Sequence, residues 1–171
     1  MKLLRLLCPA LLGLTAFTHA TADVPFRTTT LADGAFAPTT CWYTMAIGSG
    51  GLVISDNGDG EYIALNRNRT ELDDADLWCF TGSEADGFTL YNKQAGPERV
   101  LASPATMGGQ NGGTAYVTLK DAATVTDADR TLWSFSASDD LGANVEAYYM
   151  NQTGYTANKV NNRSNRLAFW T

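Results

Sequence analysis

Apolar and polar residues alternate in short segments along this chain, and the segments recur in the same order nearly three times. Each unit starts with an aromatic run, passes a glycine-containing turn to a short apolar stretch, and continues with residues that alternate with period two. Period-two alternation is typical of β-strands that bury one face. A Trp-x-Phe segment ends the first two units, and the third unit has none before the chain ends at Thr171.

These segments predict three four-strand repeats, of which the last is incomplete. Closure removes the exposed edges of an all-β sheet, so the pattern predicts a threefold, all-β barrel. No segment keeps a helical period, which predicts little helix. The predicted strands are 43–45, 52–55, 62–65 and 77–80, then 88–92, 100–103, 116–119 and 132–135, then 148–151, 159–162 and 166–170.

The Trp-x-Phe pairs predict the core of this barrel. Trp78 and Phe80 share one strand face, because alternate residues of a strand point the same way. Trp133 and Phe135 repeat the arrangement in the second unit. Burying such a side chain contributes about 1.5–3 kcal/mol. The alternative for these tryptophans is an exposed platform on which a sugar ring stacks.

The first 22 residues are predicted to be a secretory signal peptide. Lys2 and Arg5 precede an apolar stretch, and small residues at Ala20 and Ala22 offer cleavage sites. The stretch is too short for a membrane anchor, and no second long apolar run follows, so no membrane insertion is expected. The mature protein is predicted to be exported to the periplasm, the cell surface or the medium.

The mature chain is predicted to be one domain behind an entry segment, residues 23–40. Two explanations compete for the missing last strand. In the first, which we favour, the sequence is a fragment of a longer reading frame. In the second, residues 27–40 supply the strand. The domain spans 41–171, with repeats of about 41–82, 86–137 and 146–171.

The charge of the chain limits its partners. The full sequence carries 12 basic and 18 acidic residues, a net charge of −6. Removing Lys2 and Arg5 with the leader leaves 10 basic residues against 18 acidic ones, a net charge of −8. Phosphate contacts require Lys and Arg, so nucleic acids and anionic membranes are not expected as partners.

Two cysteines remain after the leader and its Cys8 are removed. Cys41 opens the first strand of the first repeat and Cys79 lies in its fourth strand. Neighbouring strands of a barrel bring such residues within reach, so a disulfide is one prediction for an exported protein. Two buried free thiols that pack as small apolar side chains are the alternative.

The mature sequence offers no recognisable catalytic set. The single histidine, His19, leaves with the leader, which removes His-dependent nucleophile pairs and His-based metal sites. The acidic run 56–61 lacks the spacing of a calcium loop. No motif selects a carboxylate pair for glycoside hydrolysis. We therefore expect no metal, no cofactor and no enzyme activity in this segment.

The segments 75–80, 87–93, 158–163 and 167–170 resemble β-trefoil modules of the ricin B lectin type. The resemblance is closest to modules at the N-terminus of secreted bacterial glycan-processing proteins, including sialidases. Those lectins carry a Gln-x-Trp signature, whereas this chain has Asp76-Leu77-Trp78 and Thr131-Leu132-Trp133. The resemblance implies a β-trefoil-like barrel and a non-catalytic carbohydrate-binding module that directs an attached or partner glycoside hydrolase to glycans.

Sugar recognition requires an aromatic face together with amide, carboxylate or guanidinium groups. Such residues concentrate in the third repeat, where Arg163 also has the fork geometry to pair with an acidic sugar. The alternative is that the asparagines shape a turn through side-chain hydrogen bonds. The main candidates are Tyr149, Tyr155, Asn161, Asn162, Arg163, Asn165 and Trp170, and a second set is Asp56, Asn57 and Tyr62.

Other functions remain open at this point. The same repeats are compatible with a structural or protein-interaction module that has no sugar site, because a fold does not carry a function by itself. An N-terminal fragment of a sialidase-type enzyme is a further alternative, with the catalytic domain beyond Thr171.

Overall fold

The structure, a computed structural model, describes residues 2–6, 26–48, 51–60, 62–66, 71–105, 115–138, 140–142, 147–154 and 160–169, with the backbone alone for 2–6 and 169. Within these ranges the only helical segments are two single 3₁₀ turns, Asp74–Asp76 and Ala122–Thr124. The predicted all-β class is confirmed. The strands are β1 (Lys2–Leu6), β2 (Leu31–Ala32), β3 (Ala35–Phe36), β4 (Tyr43–Ile47), β5 (Leu52–Asp56), β6 (Ile63–Asn66), β7 (Leu77–Ser83), β8 (Gly87–Asn92), β9 (Arg99–Pro104), β10 (Ala115–Tyr116), β11 (Thr118–Asp121), β12 (Asp129–Arg130), β13 (Trp133–Ala137), β14 (Tyr148–Gln152), β15 (Val160–Arg163) and β16 (Arg166–Phe169).

Antiparallel pairing joins most of these strands into one large sheet. Its order is β10-β16-β6-β5-β4-β7-β8-β13-β14, with β1 on β4 and β15 on β16. A second sheet has the order β11-β9-β12, and β2 pairs with β3. Within the described residues, pairing does not close the large sheet into a barrel.

The pairing follows the predicted order of segments. The second and third segments of each unit form the hairpins β5–β6, β9–β11 and β15–β16. The first and fourth segments pair as β4 with β7 and β8 with β13. Tyr43 lies opposite Trp78 in the first pair, and Phe88 lies opposite Trp133 in the second. The same register therefore occurs in both units.

Both tryptophans are fully buried and donate to an equivalent strand of their own unit. The indole Nε1 of Trp78 donates to the carbonyl oxygen of Ile54 in β5, at 2.8 Å. The indole Nε1 of Trp133 donates to the carbonyl oxygen of Leu101 in β9, at 3.0 Å. A buried indole needs such a partner. The prediction that these tryptophans form the core is confirmed.

The phenylalanines of the two Trp-x-Phe pairs differ in burial. Phe80 is fully buried, whereas Phe135 is only partly buried, so its predicted burial is incomplete. The rings of Phe26, Phe80 and Phe88 lie against Phe135, with centroids 5.1, 5.8 and 6.0 Å away. Phe26 belongs to the entry segment and stacks on Phe80 at 4.1 Å. The entry segment thus covers one end of the core with an aromatic ring.

One of the strands that pair with β4 is β1, which comes from the start of the chain. Residues Lys2–Leu6 pair with β4 in the register Lys2 to Ile47 and Leu6 to Tyr43, and they also contact β14. The entry segment forms the separate hairpin β2–β3, which among the described residues pairs with no strand of the large sheet. Thr29 of the same segment donates its N–H to the carbonyl oxygen of Phe80 in β7, at 2.7 Å. The alternative in which residues 27–40 supply the missing strand stays a prediction. The signal peptide, which includes β1, stays a prediction.

Replacing Trp78 or Trp133 by Phe removes an indole donor and leaves the carbonyl oxygen of Ile54 or Leu101 with one partner fewer. We expect each substitution to lower the free energy of unfolding by about 1–3 kcal/mol. Trp42→Phe is the control, because Trp42 is half-buried and lies outside the cluster that contains both core tryptophans. Urea unfolding followed by circular dichroism measures the differences. Equal losses in all three variants would contradict the role of the indole bonds.

Candidate functional site

Three strands, one from each unit, meet at one point of the large sheet. The backbone N–H of Ile63 donates to the carbonyl oxygen of Val117 at 3.1 Å, and the N–H of Val117 donates to that of Leu167 at 2.9 Å. Strand β16 completes the junction by pairing with β6, with Arg166 opposite Ala64. The side chains of Ile63, Val117 and Leu167 are buried in the core.

The residue before each of these buried side chains is Tyr62, Tyr116 or Arg166. Neighbouring residues of an extended chain point to opposite faces, so these three side chains lie on the outer face of the junction, and all are half-buried. The guanidinium carbon of Arg166 is 3.9 Å from the ring centroid of Tyr62 and 5.3 Å from that of Tyr116. Both distances are within the range of cation–π attraction. We call these three residues the junction cluster.

A cleft of about 420 Å³ lies beside the junction cluster. Ligand pockets commonly have volumes of about 300–1,000 Å³, so the cleft has room for a small ligand. Its rim is accessible, because Ser164 and Asn165 are exposed. The cleft is lined by Tyr62, Ala64, Leu65, Asn66, Ser164, Asn165 and Arg166.

A two-residue turn between β15 and β16 forms one side of the cleft. Ser164 and Asn165 both have positive φ, 52° and 60°, as a type I′ hairpin turn requires. The side-chain oxygen of Asn162 accepts from the N–H of Asn165 at 2.9 Å. The carbonyl oxygen of Asn165 in turn accepts from the N–H of Leu65 at 2.8 Å, which holds the turn against β6.

The residues of the first candidate set have different positions and roles in the structure. The side-chain oxygen of Asn161 accepts from the N–H of Asn162 at 2.7 Å, so both asparagines shape the turn. Tyr149 is half-buried on β14 opposite Ser136 and does not line the cleft. Tyr155 and Trp170 lie outside the described residues. Of the described members, Asn165 lines the cleft and Arg163 lies directly opposite Arg166 across the hairpin.

The residues of the second candidate set, Asp56, Asn57 and Tyr62, also have different roles. The buried Asp56 carboxylate accepts from the N–H of Gly58 at 3.0 Å and from Nε2 of Gln94 at 3.4 Å. The side-chain oxygen of Asn57 accepts from the N–H of Asp59 at 3.3 Å. These two side chains therefore shape the β5–β6 connection. Tyr62 alone reaches the cleft, and the β6–β16 pairing brings it to the same cleft as Asn165.

Four residues of the junction cluster and the cleft were not predicted from the sequence: Tyr116, Arg166, Asn66 and Ser164. A signal for the first two was present, because Tyr62, Tyr116 and Arg166 each open the third segment of a unit. Repeated units that pack on one another can bring equivalent positions into contact. Asn66 and Ser164 carried no such signal, since their placement depends on the pairing of β6 with β16.

The Asp129 carboxylate, away from the cleft, is held by side-chain and backbone donors. Lys120 and Thr126 donate to the Asp129 carboxylate, and the hydrogen bond from Lys120 is the main cause of its lowered pKa. No three His, Cys, Asp or Glu side chains of these ranges lie close enough together to hold a metal ion. The described residues also contain no helix of the length and apolar character needed to span a bilayer.

Cys41 and Cys79 are buried, are not joined by a disulfide and lie on opposite sides of the sheet. Cys41 packs in the same cluster as Trp78 and Phe80, whereas Cys79 packs with Tyr91 and Val100 in a separate cluster. The alternation of β7 explains this separation, because Cys79 lies between Trp78 and Phe80 in sequence. The structure thus has the buried thiols rather than the disulfide. Burial raises the pKa of Cys79 from 9.0 to about 12.

Comparisons with known proteins returned no match to this chain from family models, curated proteins or solved structures. Its function has to be inferred from the chemistry of the cleft.

The raised pKa of Cys79 predicts a loss of stability at alkaline pH. Between about pH 9 and pH 12 the unfolded thiol has released its proton while the buried thiol retains it, so the unfolded state binds fewer protons. The free energy of unfolding therefore falls as pH rises through this interval. We expect Cys79→Ala to reduce that slope in urea titrations at several pH values. Cys41→Ala is the matched control, and equal slopes for both variants would contradict the prediction.

Proposed function

We propose that the chain is an exported, non-catalytic carbohydrate-binding module with a β-trefoil-like fold, and that the sugar binds in the cleft beside the junction cluster. The observation that carries this proposal is the composition of the cleft. It combines a stacked phenol and guanidinium with two side-chain amides and a hydroxyl, from Tyr62, Arg166, Asn66, Asn165 and Ser164. This combination suits a ligand that has an apolar face and many hydroxyl groups.

The amides of the cleft are available for a ligand. Within the described ranges, the side chains of Asn66 and Asn165 make no hydrogen bond to the protein. An amide has two donor protons and a carbonyl acceptor, so each asparagine can bond adjacent hydroxyls of a sugar ring. The aromatic ring of Tyr62, with the guanidinium of Arg166 3.9 Å from its centroid, supplies a surface for the apolar side of that sugar ring.

The pairing pattern supports the trefoil-like interpretation of the fold. The indole bonds of Trp78 and Trp133 repeat in equivalent strands, and each unit contributes a hairpin of its second and third segments. The three third segments then meet at the junction of Ile63, Val117 and Leu167. In this proposal the module holds an attached or partner glycoside hydrolase close to its glycan substrate outside the cell.

A glycan array tests the proposal. A single shallow site is expected to bind with about millimolar affinity, about −4 kcal/mol, so the protein should be displayed multivalently. We expect binding to at least one glycan class, and a roughly tenfold or larger loss of signal, about 1.4 kcal/mol, in Tyr62→Ala.

Two further variants make the array specific for the cleft. Asn165→Gly removes the amide but keeps the turn, because glycine adopts positive φ without strain. We expect it to weaken binding while circular dichroism stays unchanged. Tyr149→Ala is the matched control, since Tyr149 is an equally half-buried tyrosine outside the cleft. Loss of binding in Tyr149→Ala but not in Tyr62→Ala would place the site elsewhere, and a blank array with folded protein would favour a structural or protein-interaction module.

A further inference from the structure

Arg166 lies against two aromatic rings and has unused hydrogen-bond donors. The ring centroids of Tyr62 and Tyr116 are 3.9 and 5.3 Å from its guanidinium carbon. Such cation–π contacts do not use up the hydrogen-bond donors of a guanidinium. In the part of the chain that the structure describes, no carboxylate or carbonyl oxygen accepts from these groups. A half-buried arginine in such a site is oriented for a ligand.

Among the described residues that line the cleft around Arg166 there is no Asp or Glu, although the chain carries 18 acidic residues. Arg163 lies directly opposite Arg166 in the β15–β16 hairpin, and directly opposite residues share one face of a hairpin. The two arginines therefore lie on the same face of this hairpin. The positive charge of Arg166 lies in a cleft whose described lining has no carboxylate, which favours an anionic ligand.

We propose that the cleft binds an acidic sugar, whose carboxylate accepts two parallel hydrogen bonds from the guanidinium of Arg166. This inference rests on the proposed carbohydrate-binding function and specifies its ligand class. The planar fork of an arginine matches the two oxygens of a carboxylate, and the stacking on Tyr62 reduces the rotamer freedom that binding would otherwise remove. Asn66 and Asn165 lie in the same cleft to bond ring hydroxyls.

The test compares sugars that differ by the carboxylate alone. The probes are glycopolymers that carry glucuronic acid or glucose, and sialyllactose or lactose, at equal density. We expect the full-length protein to bind the acidic member of at least one pair at least tenfold more strongly. Added salt should weaken binding to the acidic polymer more than to the neutral one, because an exposed ionic contact is screened.

Variants assign the preference to one guanidinium. Arg166→Gln should abolish the acidic preference while weak binding to the neutral polymers persists, and Arg166→Lys should retain part of it, since an ammonium keeps the charge but not the fork. Arg27→Gln removes the same charge at an exposed position outside the cleft and should leave the preference unchanged. If the Gln variant does not fold by circular dichroism, Arg166→Lys still tests the assignment.

The outcomes separate this inference from the proposed function. Equal binding of acidic and neutral polymers would overturn the acidic-sugar inference and leave carbohydrate binding intact, whereas no binding to any polymer would remove both. A preference that survives Arg166→Gln but disappears in Arg163→Gln would also overturn the inference. Equal binding of a sulfated glucose polymer would show that the recognised group is an anion in general and not the carboxylate.

Discussion

The buried indole hydrogen bonds are the interactions on which this architecture depends. In each of the first two units, a tryptophan on the fourth segment reaches across the core to a carbonyl oxygen of the second segment. In the first unit this bond joins two strands of the large sheet, and in the second it joins β13 of the large sheet to β9 of the second sheet. The bond therefore helps to position the hairpin of each unit. The surrounding side chains then pack around a tryptophan whose ring orientation is set, which limits the alternative packings of the core.

A buried, hydrogen-bonded polar side chain lies near each of these tryptophans. Asp76, two residues before Trp78, is buried and accepts from the hydroxyl of Ser55 and the N–H of Asp73. Gln152, on β14 of the third unit, lies opposite Trp133 and donates to the hydroxyl of Ser103. Each tryptophan therefore has a hydrogen-bonded polar group nearby, although the two groups come from different positions in the sequence.

The sequence predicted those features that depend on local periodicity. The strand segments and the burial of Trp78 and Trp133 follow from alternation with period two, which reports directly which face of a strand is apolar. The cleft was only partly predictable, because Tyr62 and Arg166 meet through the pairing of β6 with β16, and no local pattern encodes that register. The opposite orientation of Cys41 and Cys79 could have been predicted from their positions relative to Trp78. The disulfide was predicted only because their strands are neighbours. Asn161 and Asn162 were predicted sugar-site residues, but they shape a turn in the structure. Their residue type could not distinguish the two roles, because asparagine suits both.

The position of the cleft has a consequence for the order of events during synthesis. One wall comes from the first unit and the other from the last, so a growing chain contains Tyr62 long before it contains Arg166. Domains generally assemble as units as the chain emerges, and contacts that are distant in sequence form late. The cleft therefore forms only after the third unit has been synthesised and β16 has paired with β6. A ligand in this cleft would bind the finished domain and no shorter intermediate, and its affinity would favour the fully assembled state over partially assembled ones.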